Sequence, residues 1–240
     1  MDWKFFEPKF EYEASLNDSG LHWTGHRNFA YDLVRNLKPK IIVELGTWKG
    51  TSFFSFCQGI KDCKGNTKVL AVDNWEGDLH VGKYGTEVFE QVKQIMEKYY
   101  SDVDYELLKE SFDSAVSKFL DGSIDILHID GLHTYGGIKH DFNNWISKVS
   151  SSGIVLMHDT EVKKENFGVY QFWEELKGRF STIQFFQSYG LGVLFKNSKI
   201  GHEFQKVERD FQMHYSFLHE EKKNCEINRL TQLASSQPDE

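Results

Sequence analysis

Two short runs hold most of the side chains able to move a proton or hold a cation. One is His128-Ile129-Asp130-Gly131-Leu132-His133 and the other is His158-Asp159. Carboxylates suit Mg²⁺ or Mn²⁺, and an added imidazole shifts the balance toward Mn²⁺ or another transition metal. Asp130, His158 and Asp159 are the expected ligands of such an ion. The same groups can also work without metal, with His133 or His158 as a general base oriented by Asp130 or Asp159. A single strand-end Asp commonly caps a turn, and a single His commonly satisfies backbone carbonyls. Four such groups in two neighbouring segments point instead to a reactive site.

A second constellation lies earlier in the chain. Glu44-Leu45-Gly46-Thr47-Trp48-Lys49-Gly50 is a glycine-punctuated run, and Asp73 ends the next apolar segment. Gly46 and Gly50 permit a tight turn and a close backbone approach to a ligand. A helix opening after them offers free N–H groups to a carboxylate. An acid placed like Asp73 can accept hydrogen bonds from both hydroxyls of a ribose. The spacing is neither GxGxxG nor a Walker loop, so a pyrophosphate is not the expected ligand. Together the two features read as a nucleoside half-site. The loop 78–85 follows, and its glycines suit a lid whose Asp78, His80 and Tyr84 face an acceptor.

These groups need a frame that gathers them. Apolar spacing predicts helices over 26–37, 51–60, 86–100, 112–120, 138–149 and 169–176, with Pro39 stopping the first and Ser111 capping the fourth. Short β-branched runs predict strands over 40–45, 68–73, 104–108, 124–130, 153–158, 182–186 and 191–195. Strand-then-helix alternation implies parallel βαβ units in a sheet covered on both faces. The last two strands have too short a connector for a parallel crossover, so they form an antiparallel hairpin. The expected fold is α/β and Rossmann-like, with a mostly parallel sheet. In such a sheet, ligands bind outside the carboxyl ends of the strands, where both constellations fall.

The chain as a whole narrows the function. Its 240 residues suit one α/β domain with short additions. A net charge of −8 argues against a nucleic-acid partner, which needs a basic footprint. Aromatics reach 15%, enough to line a pocket that stacks on an adenine or a sugar face. Cys57, Cys63 and Cys225 have neither a disulfide framework nor zinc spacing. With no signal peptide and no apolar run able to span a bilayer, the expected location is the cytoplasm. The tail 202–233 carries Phe204, Val207, Phe211, His214 and Leu218 at steps of three and four. This stripe fits an amphipathic helix packed on the domain, or the start of a coiled coil leading to a partner. The end, 235–240, has a disordered composition.

Several strings carry a family resemblance over roughly residues 22–196: WTGHRNFAYDLV, VELGTWKGTS, VDNWEGDLHVGKYG, GSIDILHIDGLHTYGGIKHDFNNW, GIVLMHDT, FGVYQFWEELK and YGLGVLF. The chain resembles the class I S-adenosylmethionine-dependent methyltransferases, and within them a bacterial branch associated with surface-glycan biosynthesis. The resemblance implies a seven-stranded sheet with its last strand antiparallel. It implies that Glu44, Gly46 and Thr47 lie near the methionine and ribose of S-adenosyl-L-methionine. It also implies that Asp73 binds the ribose and that Asn74, Trp75, Ser111 and Phe112 lie toward the adenine. Asp130 belongs to both the cofactor and the catalytic sets, and His80, His133 and His158 complete the latter. His158 stands where related metal-dependent enzymes carry an acid or amide. The implied layout is an arm and cap helix over 1–37, a methyltransferase domain over 38–197, and a C-terminal helix and end over 198–240.

The reading is O-methylation of a sugar hydroxyl in a bacterial surface glycan. A phenol or catechol acceptor is the alternative, as is a non-catalytic interaction module. A nicotinamide-dependent oxidoreductase is disfavoured by the missing GxGxxG and the closing hairpin. A homo-oligomer, or a glycosyltransferase held through the C-terminal helix, is the expected partner.

Overall fold

The computed structural model describes residues 2–15, 22–80 and 82–235. Helix α1 (Arg27–Leu37) leads into β1 (Ile41–Leu45), α2 (Thr51–Cys63) and β2 (Lys68–Asp73). A two-stranded ribbon follows, β3 (Gly77–Asp78) and β4 (Gly82–Lys83), which the sequence did not announce. Then come α3 (Glu87–Tyr99), β5 (Asp104–Lys109), α4 (Phe112–Ala115), β6 (Ile124–Ile129), α5 (Tyr135–Trp145) and β7 (Val149–His158). Helix α6 (Val169–Lys177), the hairpin β8 (Ser181–Phe185) and β9 (Leu191–Phe195), and the long helix α7 (Ser198–Ser235) close the chain.

The main sheet has seven strands in the order β5-β2-β1-β6-β7-β9-β8. Only β9 runs against the rest: it pairs antiparallel with both β7 and β8. The apolar runs of β1, β2 and β6 are buried because helices cover both faces, as parallel sheets require. One face packs against α1, α2, α3 and α7 through an aromatic core that includes Phe29, Phe53, Phe56 and Phe211. The other packs against α5 and α6 through Phe142, Trp145, Phe172 and Trp173.

Several boundaries differ from the periodicity. Helix α5 starts at Tyr135 because Thr134 caps it, its hydroxyl accepting from the Gly137 N–H. It ends at Trp145, and β7 begins at Val149, where a register shift against β6 accommodates the polar Ser150–Ser152. Ser111 caps α4 as expected, accepting from the Ser114 N–H. That helix is only one turn before a 3₁₀ turn over Val116–Lys118, so 112–120 is not one helix.

The heptad-like stripe of the tail faces inward. Phe204, Phe211 and Tyr215 are buried, and α7 lies along β8. The arm joins it: Trp3 packs against Phe29, Phe204 and Phe211, and its indole N–H donates to the Tyr215 hydroxyl. Tyr215 in turn donates to the buried Asp32 carboxyl at 2.7 Å. Residues 236–240, where the sequence suggested disorder, lie outside the described residues.

Candidate active site

Strands β2, β1, β6 and β7 are neighbours and parallel, so their carboxyl ends share one rim. A cleft of about 530 Å³ opens there, within the size range of small-molecule sites.

The loop after β1 forms one end. Gly46 has φ 88°, and a Cβ there would lie 2.1 Å from the Asp130 carbonyl oxygen. The glycine is thus required by the neighbouring strand end, and not only by approach to a ligand. Gly50, at φ 87°, opens α2, and a Cβ there would meet the Phe54 ring at 2.7 Å.

Asp73 knits this end together. Its Oδ2 accepts from the Thr47 and Trp48 N–H groups, each at 2.8 Å, and its Oδ1 from the Trp75 N–H at 2.7 Å. Trp48 (φ 47°) and Trp75 (φ 51°) both sit in the left-handed region that bulky residues avoid. The carboxylate that lines the cleft is therefore also the clamp that holds two unfavourable backbone turns.

The other end is built from β6 and β7. The Nε2 of His133 lies 2.8 Å from Asp159 Oδ2 and 3.3 Å from Asp130 Oδ1. These three side chains bring one ligand atom each to within 4.8 Å of one another. His158 stands beside that trio. Its Nε2 donates to the Ser188 carbonyl at 2.9 Å and lies 3.1 Å from the His22 carbonyl, while its Nδ1 lies 3.4 Å from Asp130 Oδ2. The ligand set expected from sequence, Asp130, His158 and Asp159, is thus corrected: the convergent imidazole is His133. His158 is turned by two backbone carbonyls that its sequence neighbourhood does not reveal.

Charge explains the arrangement. Burial alone would lower the two imidazoles, but hydrogen bonds and charge from Asp130 and Asp159 outweigh it. His133 is raised to about 10 and His158 to about 9. Burial opposes ionisation of Asp130 as well, yet the charge of His158 and the bond from His133 hold its carboxyl well below the ordinary range. Burial, then the charge of His158, push His26 the other way, well below its usual value. It lies deeper, with its Nε2 also on the Ser188 carbonyl, at 3.2 Å.

A separate polar chain runs under the site. The Trp23 indole N–H donates to His128 Nε2 at 3.3 Å, so His128 carries its proton on Nδ1 and donates to Glu44 Oε2 at 2.8 Å. Glu44 and His128 are both fully buried.

Of the residues expected to hold a cofactor, Gly46, Thr47, Asp73, Asn74, Ser111, Phe112 and Asp130 line the cleft. Glu44 and Trp75 do not. Glu44 points down to His128, and Trp75 is packed on Phe89 with its N–H on the Trp48 carbonyl. Their strand-end positions in sequence were right for the cleft, but strand alternation and a left-handed turn carried their side chains into the core. Of the expected catalytic residues, His80 joins the cluster, its Nδ1 3.4 Å from His133 Nδ1, and both rings pack on Phe167. Tyr84 lines the cleft, while Val81 and the Asp78 side chain lie outside what is described.

Trp23 and His22 also line the cleft. His22 stacks on Tyr189 with ring centroids 5.2 Å apart. Tyr135, in the first turn of α5, donates to Glu175 at the surface. Glu110 was missed although it follows β5 directly, where the strand-end rule would have found it.

Comparison with known proteins fits this geometry. Residues 43–160 match the family model described as a methyltransferase domain. A protein of Sinorhizobium fredii, described as uncharacterized protein y4gI, is 42% identical over 179 residues. The match takes in 74% of this chain, which spans only 19% of that relative's length. Among solved structures, the SAH-bound Podospora anserina methyltransferase PaMTH1 aligns with a TM-score of 0.54 at 14% identity, over 78% of this chain and 82% of that one. A putative caffeoyl-CoA O-methyltransferase from Staphylococcus aureus aligns at 0.55 and 16% identity, over 71% and 82%. An O-methyltransferase from Bacillus cereus in complex with SAH aligns at 0.53 and 13% identity, over 72% and 81%. These likenesses are in fold.

Fold and rim are those of a Rossmann-like α/β domain, and residues 43–160 match a methyltransferase-domain family model. The matched residues 43–160 run from within β1 to just past the end of β7 and so contain both strand-end constellations.

Proposed function

We propose that this protein transfers the methyl group of S-adenosyl-L-methionine to a sugar hydroxyl, in the assembly of a bacterial surface glycan. Asp130, His133 and Asp159 would hold a divalent cation, Mg²⁺ or Mn²⁺, that assists the transfer when bound. The observation that carries this reading is the convergence of those three side chains at the rim of the cleft that the Gly46–Gly50 loop closes. The acceptor oxygen attacks the methyl carbon in line, the carbon–sulfur bond breaks, S-adenosylhomocysteine departs neutral at sulfur, and the hydroxyl proton is released to solvent, carrying off the sulfonium's positive charge. When bound, a cation would polarise that hydroxyl and make its proton easier to lose.

The donor set fits such an ion. One oxygen each from Asp130 and Asp159 converges on His133 Nε2, at 3.3 and 2.8 Å, and these three atoms would hold a cation once that nitrogen has lost its proton. The metal-free alternative, with His133 or His158 as base, needs a neutral imidazole. Ligation by His133 needs one too: both imidazoles are raised by the same carboxylates, so a cation would have to displace the His133 proton before that ring could hold it. The aromatic walls of the cleft, Trp48, Tyr84, Phe167 and Tyr189, suit the face of a sugar ring. They suit a phenol too, and the Staphylococcus aureus neighbour is titled a putative caffeoyl-CoA enzyme.

The test is calorimetric titration of S-adenosylhomocysteine, before and after EDTA treatment and with Mn²⁺ restored, followed by labelled methyl transfer to glycans and to catechol. The expected result is cofactor binding, a Mn²⁺ signal lost in Asp130→Ala, and label on a sugar. Label on catechol alone would overturn the sugar acceptor, and no cofactor binding would overturn the whole reading.

A further inference from the structure

Helix α7 carries a second stripe, opposite in character to the one packed on the domain. Lys206, Asp210, Met213, Phe217, Glu220 and Asn224 recur at alternating steps of four and three, and every one is exposed. Met213 is 58% exposed and Phe217 61%, and Phe186, at the end of the edge strand β8, is 60% exposed. Such steps keep these residues on one exposed face of the helix, with Met213 and Phe217 as its apolar pair and charged residues on either side.

The charges on either side of Met213 select the partner. Glu203 pairs with Lys206 before it, and Glu220 pairs with Lys223 after it, both at i,i+3. If a second copy of the helix ran antiparallel about a two-fold axis at Met213, Lys206 would face Glu220 of the partner subunit. Glu203 would face the partner's Lys223, and Arg209 would face the partner's Phe217. Each pair would occur twice, as an isologous interface demands. A parallel copy would set Glu203 on Glu203 and Lys206 on Lys206, which repels.

We propose that α7 is a self-association surface, and that its occupant is the α7 of a second copy of this chain, antiparallel and centred on Met213. Met213 and Phe217 supply the apolar centre. The two quartets of alternating charge fix direction and register more than affinity, because exposed ion pairs add little binding energy each. The contact from Lys206 to Glu220 is about 21 Å long at the rise of an α-helix, so the dimer is expected to be modest, with a dissociation constant on the order of micromolar.

The experiment is sedimentation equilibrium of the full chain over a wide concentration range, at low and at high salt. The wild type should approach twice the 28.0 kDa chain mass as concentration rises. A first variant exchanges one pair, Glu203→Lys with Lys206→Glu. This keeps the ion pair within the helix but sets like charges across the interface, so dissociation should rise about tenfold or more. A second variant adds Glu220→Lys with Lys223→Glu, which restores complementarity and should recover wild-type association. Phe217→Glu should leave a monomer of unchanged helix content. A wild type that stays monomeric throughout overturns the surface. A dimer indifferent to the first exchange, or one that the second exchange fails to restore, overturns the antiparallel geometry.

Discussion

Asp73→Ala separates two roles that the sequence merges. A strand-end acid of a nucleoside half-site is expected to touch ribose, so its loss should weaken the cofactor and leave the fold alone. Here the carboxylate accepts three backbone N–H groups at 2.7–2.8 Å, and two of the residues it holds, Trp48 and Trp75, are in the left-handed region. Hydrogen bonds to a charged acceptor contribute about 1.5–3 kcal/mol each, and water entering the truncated site would recover part of that. Left-handed backbone at two non-glycine residues would be released at the same time, which favours rearrangement over local repair. A net loss of about 3 kcal/mol is the reasonable figure, which for a domain of this size lowers Tm by about 6–12 °C. Calorimetric melting without cofactor reads the clamp, and titration with S-adenosylhomocysteine reads the site. Asp73→Asn, which keeps one acceptor oxygen and adds a donor facing an N–H, should fall between the two. If the cofactor-free Tm of Asp73→Ala stays within about 2 °C of wild type while binding is lost, the clamp argument is wrong and the residue serves the ligand only.

Other outcomes follow from single contacts. Gly46→Ala places a Cβ on the Asp130 carbonyl at 2.1 Å and keeps φ at 88°, so it should cost more than the roughly 1 kcal/mol of left-handed strain alone, read as a Tm loss with weakened cofactor binding. Asp32 is buried, and its carboxyl is raised to about 7 by burial, against an ordinary 3.8. The folded state therefore keeps a proton that the unfolded chain has released between those values, so stability falls as pH rises from about 4 to 7, by up to about 4 kcal/mol. Urea melts of Asp32→Asn across that window should lose this slope, and an unchanged slope would refute the assignment. Trp23→Phe removes the donor to His128 Nε2 inside the core and should destabilise by about 1–3 kcal/mol, measured as a shift in the urea midpoint.

Much of the fold is legible because its signals are local and agree. Apolar runs of five or six residues, glycine after the first strand, and the Ser111 cap all point to the same alternation. The rim is legible for the same reason: once strands are parallel and adjacent, Asp73, Asp130 and Asp159 must come together. Side-chain direction at those ends is where the reading failed. Glu44 and His128 sit on neighbouring strands in register, so they meet each other under the sheet instead of facing the ligand. His158 looked like a ligand beside Asp159, but the Ser188 carbonyl, thirty residues on, decides its orientation. A contact of that range leaves no periodic trace in the sequence.

The turn that supplies this carbonyl is built to hold it. Ser188, Tyr189 and Gly190 all have positive φ, at 46°, 68° and 87°, a run of left-handed residues that the surrounding contacts must over-determine. Those contacts come from the segment before α1. The Gly25 N–H donates to the Ser188 hydroxyl, Gln187 donates to the Gly25 carbonyl, and His26 shares the Ser188 carbonyl with His158. Both segments lie outside the stretch 43–160 that matches the methyltransferase domain, yet together they set the imidazole that faces Asp130 and Asp159. They also carry His22, Trp23 and Tyr189 to the wall of the cleft. The glycine loop and its clamp lie within the matched stretch 43–160. The wall opposite comes from segments before and after that stretch, so an acceptor bound in the cleft would meet His22, Trp23 and Tyr189, which the family match does not cover.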